Sequence, residues 1–374
     1  MTRVTGPTLR GLRAHAVERS LRSADSLADA IAALRFVQLD PIRAPARAAD
    51  LILRQRVAGY RAGDLDRAYP SLPLAEDCVH VYGVMPLATL RLLHPRNASH
   101  RLHVEREHPR LAARVLAHVV QHGETHPRDV AAAIGRTRVA NGWGGESTAT
   151  TRMLEALHHR GKLRVARRVN GVKVYGLAQA PAPGQALAPA ARAHALLCLL
   201  IELYAPLPEP TFRELARMVT ESSLSPPLRA KTFARIVDGP DAQRVTVAGM
   251  RWLLPAGETV SDRIDDRVRL LAPFDPIVWD RRRFAALWGW DYRFEAYTPP
   301  AKRKLGYYAL PLLWRDDIVG WANATLADGT LTAEVGYAKT VPRTSAFRCE
   351  LDAELERLRE CVGAQRMVMR SGAR

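Results

Sequence analysis

The sequence predicts an α+β protein: tandem winged-helix (helix-turn-helix) domains followed by a C-terminal β-barrel-like region. Three observations carry this prediction. One order of elements, three helices and then a hairpin, can be read twice, over 111–177 and again over 191–254. The first hairpin is marked by Asn170-Gly171, a dipeptide suited to a tight turn with two positive φ angles. From Val268 onward, helical periodicity gives way to short apolar and aromatic runs separated by glycine turns.

Taken along the chain, residues 8–36 read as two amphipathic helices, the second opened by Ser26 and running through Leu34. Residues 48–60 have helical spacing in Leu51, Ile52, Gln55 and Val57, and another turn starts at 64–68. Residues 111–122 place Leu111, Val115, Val119 and Val120 on one side of a helix. Pro127 opens the next helix, which ends near Ile134, and 147–160 forms a third with Ser147 as its cap. Strands at 162–168 and 172–177 complete the first unit. The composition of 178–189 is that of a linker. The order then recurs as 191–204, 211–219, 225–237 and a hairpin at 244–254. Strands are expected at 307–313, 318–324 and 331–335, closed by a helix at 345–362. The domain reading is therefore 1–105, a diverged winged-helix-like domain; 106–178, a winged helix; 179–189, a linker; 190–260, a winged helix; and 261–374, the barrel-like region with its C-terminal helix.

A net charge of +17 narrows the partners, because such a field attracts polyanions and speeds association with them. Lysine occurs only at 162, 173, 231, 302, 304 and 339. GC-rich coding would explain arginine over lysine, but not the excess of cations over carboxylates. The four cysteines form no CxxC pair, which argues against a disulfide framework and against a thiolate metal site. Seven histidines lie between His94 and His126, and their spacing suits a solvated surface better than converging ligands. No metal or cofactor is expected. No apolar run reaches a membrane span, so the expected location is cytoplasmic and nucleoid-associated, without a membrane partner, the chain acting as a monomer.

The stretch 35–47 carries the chemistry. Gln38 and Asp40 stand two positions apart after an apolar segment, with Arg43 and Arg47 just beyond. In extended backbone, i and i+2 point the same way, so an amide and a carboxylate can line one pocket. Such a pair can orient water and stabilise positive charge developing on a sugar. The plainer reading is an Asp-Pro turn with Gln38 at a strand end. Arg43 and Arg47 either hold phosphate or pair with Asp50. Lys162, Arg164, Arg167, Arg168 and Lys173 put five cations on one hairpin, suited to DNA backbone contact. Glu76 and His80, at i and i+4, would share a helix face and support the site, or form a buried pair.

Several segments together resemble the winged-helix DNA glycosylase family that includes AlkZ and YcaQ. They are Phe36-Val-Gln-Leu-Asp40 with Arg47; Glu76-Asp-Cys-Val-His80 before Met85-Pro86; and Gly142-Trp143. Further on come 271–281, Glu295-Ala-Tyr-Thr-Pro-Pro-Ala-Lys-Arg303, and Gly306-Tyr-Tyr-Ala-Leu-Pro-Leu312. The resemblance implies a DNA repair glycosylase acting on double-stranded DNA with alkylated (N7-substituted) purines, some members also unhooking interstrand crosslinks. It implies Gln38 and Asp40 as the catalytic pair, in the Gln-apolar-Asp form closer to the YcaQ branch. Two departures stand out: Cys78 where the family usually has Trp, and Gly320-Trp-Ala-Asn323 where it usually has Gly-Arg-x-Asp. Asp275, Asp280 and Glu295 match family positions and read as turn and barrel structure.

An N7-alkylated purine is already a good leaving group, so one carboxylate with an amide partner suffices and no second acid is needed. A lyase would need an amine nucleophile, and residues 1–161 contain no lysine. The expectation is a monofunctional hydrolase. Its rival is a non-catalytic winged-helix DNA-binding protein or transcriptional regulator, with the same charge and hairpins and a merely structural Gln38 and Asp40.

Overall fold

The computed structural model describes residues 7–97, 102–140, 144–179 and 186–371 and has an α+β fold. Most of the expected linker and the Gly142-Trp143 pair lie outside the described residues. Contacts divide the chain into two compact units that are not consecutive in sequence. One comprises Met1–Leu65, Cys198–Leu215 and Arg235–Arg374; the other comprises Asp66–Leu197 and Ala216–Ala234.

The first unit is built on a five-stranded sheet in the order Val268–Leu270, Leu310–Trp314, Asp317–Ala327, Thr330–Tyr337, Arg366–Ser371. The first four strands are antiparallel neighbours, and the last runs parallel to Thr330–Tyr337. A parallel neighbour needs a crossover, which the helix Ser345–Cys361 supplies, capped by Thr344. The sheet curls into a half-barrel rather than closing. Its core joins Leu12 and Val17 of the helix Leu9–Ser20 to Trp252, Phe284, Trp288, Tyr292, Leu313 and Ile318. Two buried acids fix the chain around this core. Glu354 is fully buried and accepts from Arg54, Gln55 and the Leu270 backbone. Asp275, also fully buried, receives both terminal nitrogens of Arg56 at 2.7 and 3.1 Å.

The second unit contains the helices Leu111–His122, Pro127–Ile134 and Ala149–His159, followed by the hairpin Leu163–Val169/Val172–Leu177. Val115, Val119, Val130, Met153 and Leu154 are buried where the three helices meet. The third helix is capped by Thr148 rather than Ser147, the Thr148 hydroxyl accepting from Thr151 N–H. Asn170 (φ 50) and Gly171 (φ 80) form the hairpin turn, both in the left-handed region that the sequence pair suits. The same order, three helices and a hairpin, recurs in Pro189–Tyr204, Glu209–Glu221, Pro226–Asp238 and Ala242–Val247/Met250–Pro255.

Two expectations are corrected. The helix expected over 48–60 ends after Ala48–Leu53, because Val57 leaves it to form a backbone bridge with Ala24. Glu76 and His80 do not share a helix face: Leu74–Cys78 is a strand paired with Tyr82–Pro86, and His80 lies in the intervening turn.

Candidate active site

The helix Leu27–Leu34 ends at Arg35, whose left-handed φ of 60° turns the chain into the short strand Val37–Gln38. Val37 is buried; Gln38, Leu39 and Asp40 are half-buried. The Asp40 carboxylate accepts the Ile42 N–H at 2.9 Å, an Asx turn across Pro41. Beyond it, a backbone bridge between Arg43 and Arg47 leads into the helix Ala48–Leu53.

The two aspartates of this segment differ in what they hold. Asp50, almost fully buried, accepts from the Tyr60 hydroxyl, Gly63 N–H and Arg47 Nε at 2.8, 2.9 and 3.2 Å, so it is structural. Asp40 has a backbone partner and no ion pair among the described residues. Partial desolvation raises its pKa above the ordinary 3.8, against the smaller lowering from the Ile42 N–H. The Gln38 side-chain oxygen is buried without a hydrogen-bond partner among the described residues. A buried acceptor left open costs free energy, and a site for water or substrate accounts for one. A carboxylate of raised pKa and an open amide oxygen two positions apart make a perturbed segment of the kind that proton transfer uses.

Tyr308 is the functional candidate that sequence reasoning missed. It is 2% exposed, its hydroxyl is unpartnered among the described residues, and the Asp40 charge adds to the burial that raises its pKa. The sequence puts it in a strand expected over 307–313, whereas the strand begins at Leu310 and Tyr308 lies in the turn before it. From Tyr308 an aromatic row leads outward: its ring meets Phe294 at 5.4 Å, and Phe294 meets Phe274 at 5.0 Å and Tyr297 at 6.1 Å.

The remaining site expectations divide between exposed and occupied side chains. Arg43 is exposed, whereas Arg47 is largely buried against Asp50. On the hairpin, Lys162 is exposed. Arg164 and Arg167 are half-exposed near Glu124, at 3.8 and 3.1 Å. Arg168 is tied to buried Glu76 by two bonds of 2.8 and 2.5 Å, and Lys173 sits 3.6 Å over the Tyr82 ring. Three of the five hairpin cations therefore face outward. Glu76 serves Arg168, and desolvation pushes the His80 imidazole down to about 3. Gln38, Asp40, Arg43 and Arg47 belong to the first unit; Glu76, His80 and the hairpin cations belong to the second. His118 and His122 stack at 4.1 Å, and His126 caps the helix Pro127–Ile134. Asp275 and Asp280 hold turns, accepting the Ile277 and Arg282 N–H groups, and Glu295 accepts three backbone N–H groups. Among the described residues, no helix is long and apolar enough to cross a membrane.

A protein with this α+β architecture and this Gln-apolar-Asp segment matches a family profile described as DNA glycosylase AlkZ-like, over residues 31–361. The chain belongs to the AlkZ-like DNA glycosylase family. Its fold is similar to the solved structure of Streptomyces sahachiroi DNA glycosylase AlkZ, with a TM-score of 0.64 at 17% identity, covering 98% of this chain and all of that one.

Proposed function

We propose that the chain is a monofunctional DNA glycosylase that hydrolyses the N-glycosidic bond of N7-alkylated purines in duplex DNA. The observation that carries the reading is the Asp40 carboxylate, raised in pKa and without an ion pair among the described residues, two positions along the chain from the open Gln38 oxygen. Family membership supports the reaction class.

An N7-alkylated purine leaves as a neutral base, so the enzyme has to stabilise a cationic sugar and deliver water to C1′. Ionised Asp40 does the first through its charge, at partial burial where screening is reduced. It then takes the proton of the attacking water. The Gln38 oxygen accepts that water's second hydrogen and aims it, and the buried Tyr308 hydroxyl offers a donor toward the same carboxylate. The repeated helix, helix, helix, hairpin order supports tandem winged helices as the duplex-binding part. Exposed Lys162, Arg164 and Arg167 would contact its phosphates.

The test is release of N7-methylguanine from duplex DNA, read as strand cleavage after alkali at the abasic site. Asp40→Asn should cut the rate of release by roughly 10²- to 10⁴-fold while duplex binding persists. Binding without release by the wild type would leave a winged-helix DNA-binding protein. Borohydride trapping checks the monofunctional assignment, and crosslinked duplexes in the same panel decide whether unhooking belongs to the activity. A covalent adduct would implicate an amine, for which the exposed Lys302 and Lys304 of the first unit are candidates.

A further inference from the structure

The segment 295–307 is a loop held rigid from within, yet it displays its aromatic side chains to solvent. The Glu295 carboxylate accepts the backbone N–H groups of Lys304, Leu305 and Gly306 at 2.7 to 3.3 Å, closing the loop at its base. The Arg303 Nε donates to Thr298 O at 2.8 Å, and the turn Pro300–Lys302 fills the middle. Asn323 donates to Leu305 O at 2.5 Å from the adjoining strand. Its amide lies so near Gly306 that a Cβ there would sit 2.4 Å away, and Gly306 has φ 114, so only glycine fits.

With the backbone so fixed, Tyr297 is 81% exposed, the highest value among the exposed large hydrophobic side chains described, and Tyr307 is 42% exposed under Arg303. Folding gains little by leaving a tyrosine ring in water on an ordered loop. Lys302 and Lys304 are also exposed here, two of the six lysines in the chain. An exposed π-face on a loop that also carries two cations complements stacked bases between phosphates; an anionic lipid surface would suit the same chemistry, and membership of a DNA glycosylase family is what favours duplex DNA as the partner. Tyr297 is also the outer end of the aromatic row that begins at Tyr308, whose hydroxyl feels the Asp40 charge.

We propose that the loop 295–307 is a lesion-sensing wedge, with Tyr297 stacking into the duplex where the damaged nucleotide is unstacked, and Lys302 and Lys304 holding the flanking phosphates. This rests on the proposed glycosylase reading and adds the element that engages the gap. The pre-ordered loop loses little further entropy on binding. A base weakened by alkylation, or lost altogether, leaves a step that an aromatic ring can enter at low cost.

Binding tests it without any bond cleavage. Affinities of the full chain are measured for an intact duplex and for one carrying a tetrahydrofuran abasic analogue. The wild type should prefer the analogue. Tyr297→Ala should lose about ten-fold on the analogue and little on the intact duplex, whereas Tyr297→Phe keeps the preference. Tyr297 is mostly in water, so an unchanged Tm for the Ala variant is expected. Equal affinities of wild type and Tyr297→Ala for the analogue, or no wild-type preference for it, would overturn the wedge. A Tyr297-dependent preference without N7-methylguanine release would sink the proposed activity and leave the wedge standing.

Discussion

Replacing Asp40 by Asn tests the catalytic assignment and the effect of the charge on stability in one variant. The substitution is isosteric, and the Asn Oδ1 can still accept the Ile42 N–H that Asp40 accepts at 2.9 Å. What it removes is the charge facing the reacting sugar. Loss of a positioned general base typically costs 10²- to 10⁴-fold in rate, about 3–5 kcal/mol of barrier. Stability should move the other way. The folded-state pKa of Asp40 is raised, so the folded chain holds that proton more tightly than the unfolded chain. The ionised carboxylate therefore lowers stability as pH rises through the raised value, and a neutral amide is free of that cost at pH 7. Single-turnover release of N7-methylguanine and thermal unfolding, both followed from pH 4 to 8, read the two effects. Release should fall by the stated factor while Tm at pH 7 is equal or higher. The acid limb of the wild-type rate should lie above the ordinary carboxylate value of about 3.9. Undiminished release, or a Tm several degrees lower, would make Asp40 a structural turn residue and refute the reasoning.

Other variants separate binding cations from structural ones. Lys162→Ala should weaken duplex binding evenly across sequences and reduce the slope of log K against log salt by about 1. Arg168→Ala should instead lower stability by about 2–3 kcal/mol, since Glu76, which is 4% exposed, loses its two charged bonds and keeps only the Tyr82 hydroxyl and the Lys173 charge; chemical denaturation reads this. Glu354→Ala should be comparably costly, because the buried Leu270 N–H loses its acceptor and Arg54 loses the carboxylate that balances its charge, Arg54 and Gln55 keeping only the Leu270 carbonyl. His80, held down at about 3, binds its proton in the unfolded chain first. Stability should therefore fall as pH drops from about 6.5 toward 3, and His80→Gln should flatten that part of the Tm profile.

What could be read from the residues depended on whether the signal was local. Asn170-Gly171 specifies its own turn, and the apolar spacing of 111–122 specifies its own helix, so both appear where expected. Arg366-Met-Val-Met-Arg-Ser371 has too little alternation to announce a strand. It becomes one because the helix Ser345–Cys361 carries it back beside Thr330–Tyr337. Glu76-Asp-Cys-Val-His80 has helical spacing by chance, overridden by pairing with Tyr82–Pro86. At the site, the Gln38 and Asp40 segment was visible as a pattern. Tyr308 was not, since its relation to Asp40 joins positions 268 apart in sequence and nothing in the strand pattern marks it.

The strand sequence Gly320-Trp-Ala-Asn323 is held in place by packing rather than by charge. Trp321 lies opposite Gly336 on the neighbouring strand, and a Cβ at Gly336 would come within 2.5 Å of its ring. The indole covers the glycine and meets Trp290 at 6.0 Å, so this position is held by cross-strand aromatic packing. Asn323 is then required as a donor, because its partner is the Leu305 carbonyl and a carboxylate there would repel it. The two side chains fit one another: a strand without cations packs its Trp inward and uses its amide to hold the loop that displays Tyr297, Lys302 and Lys304. The positive charge of this region is carried by the adjoining loop, on Lys302 and Lys304, in a segment that the same Asn keeps in place.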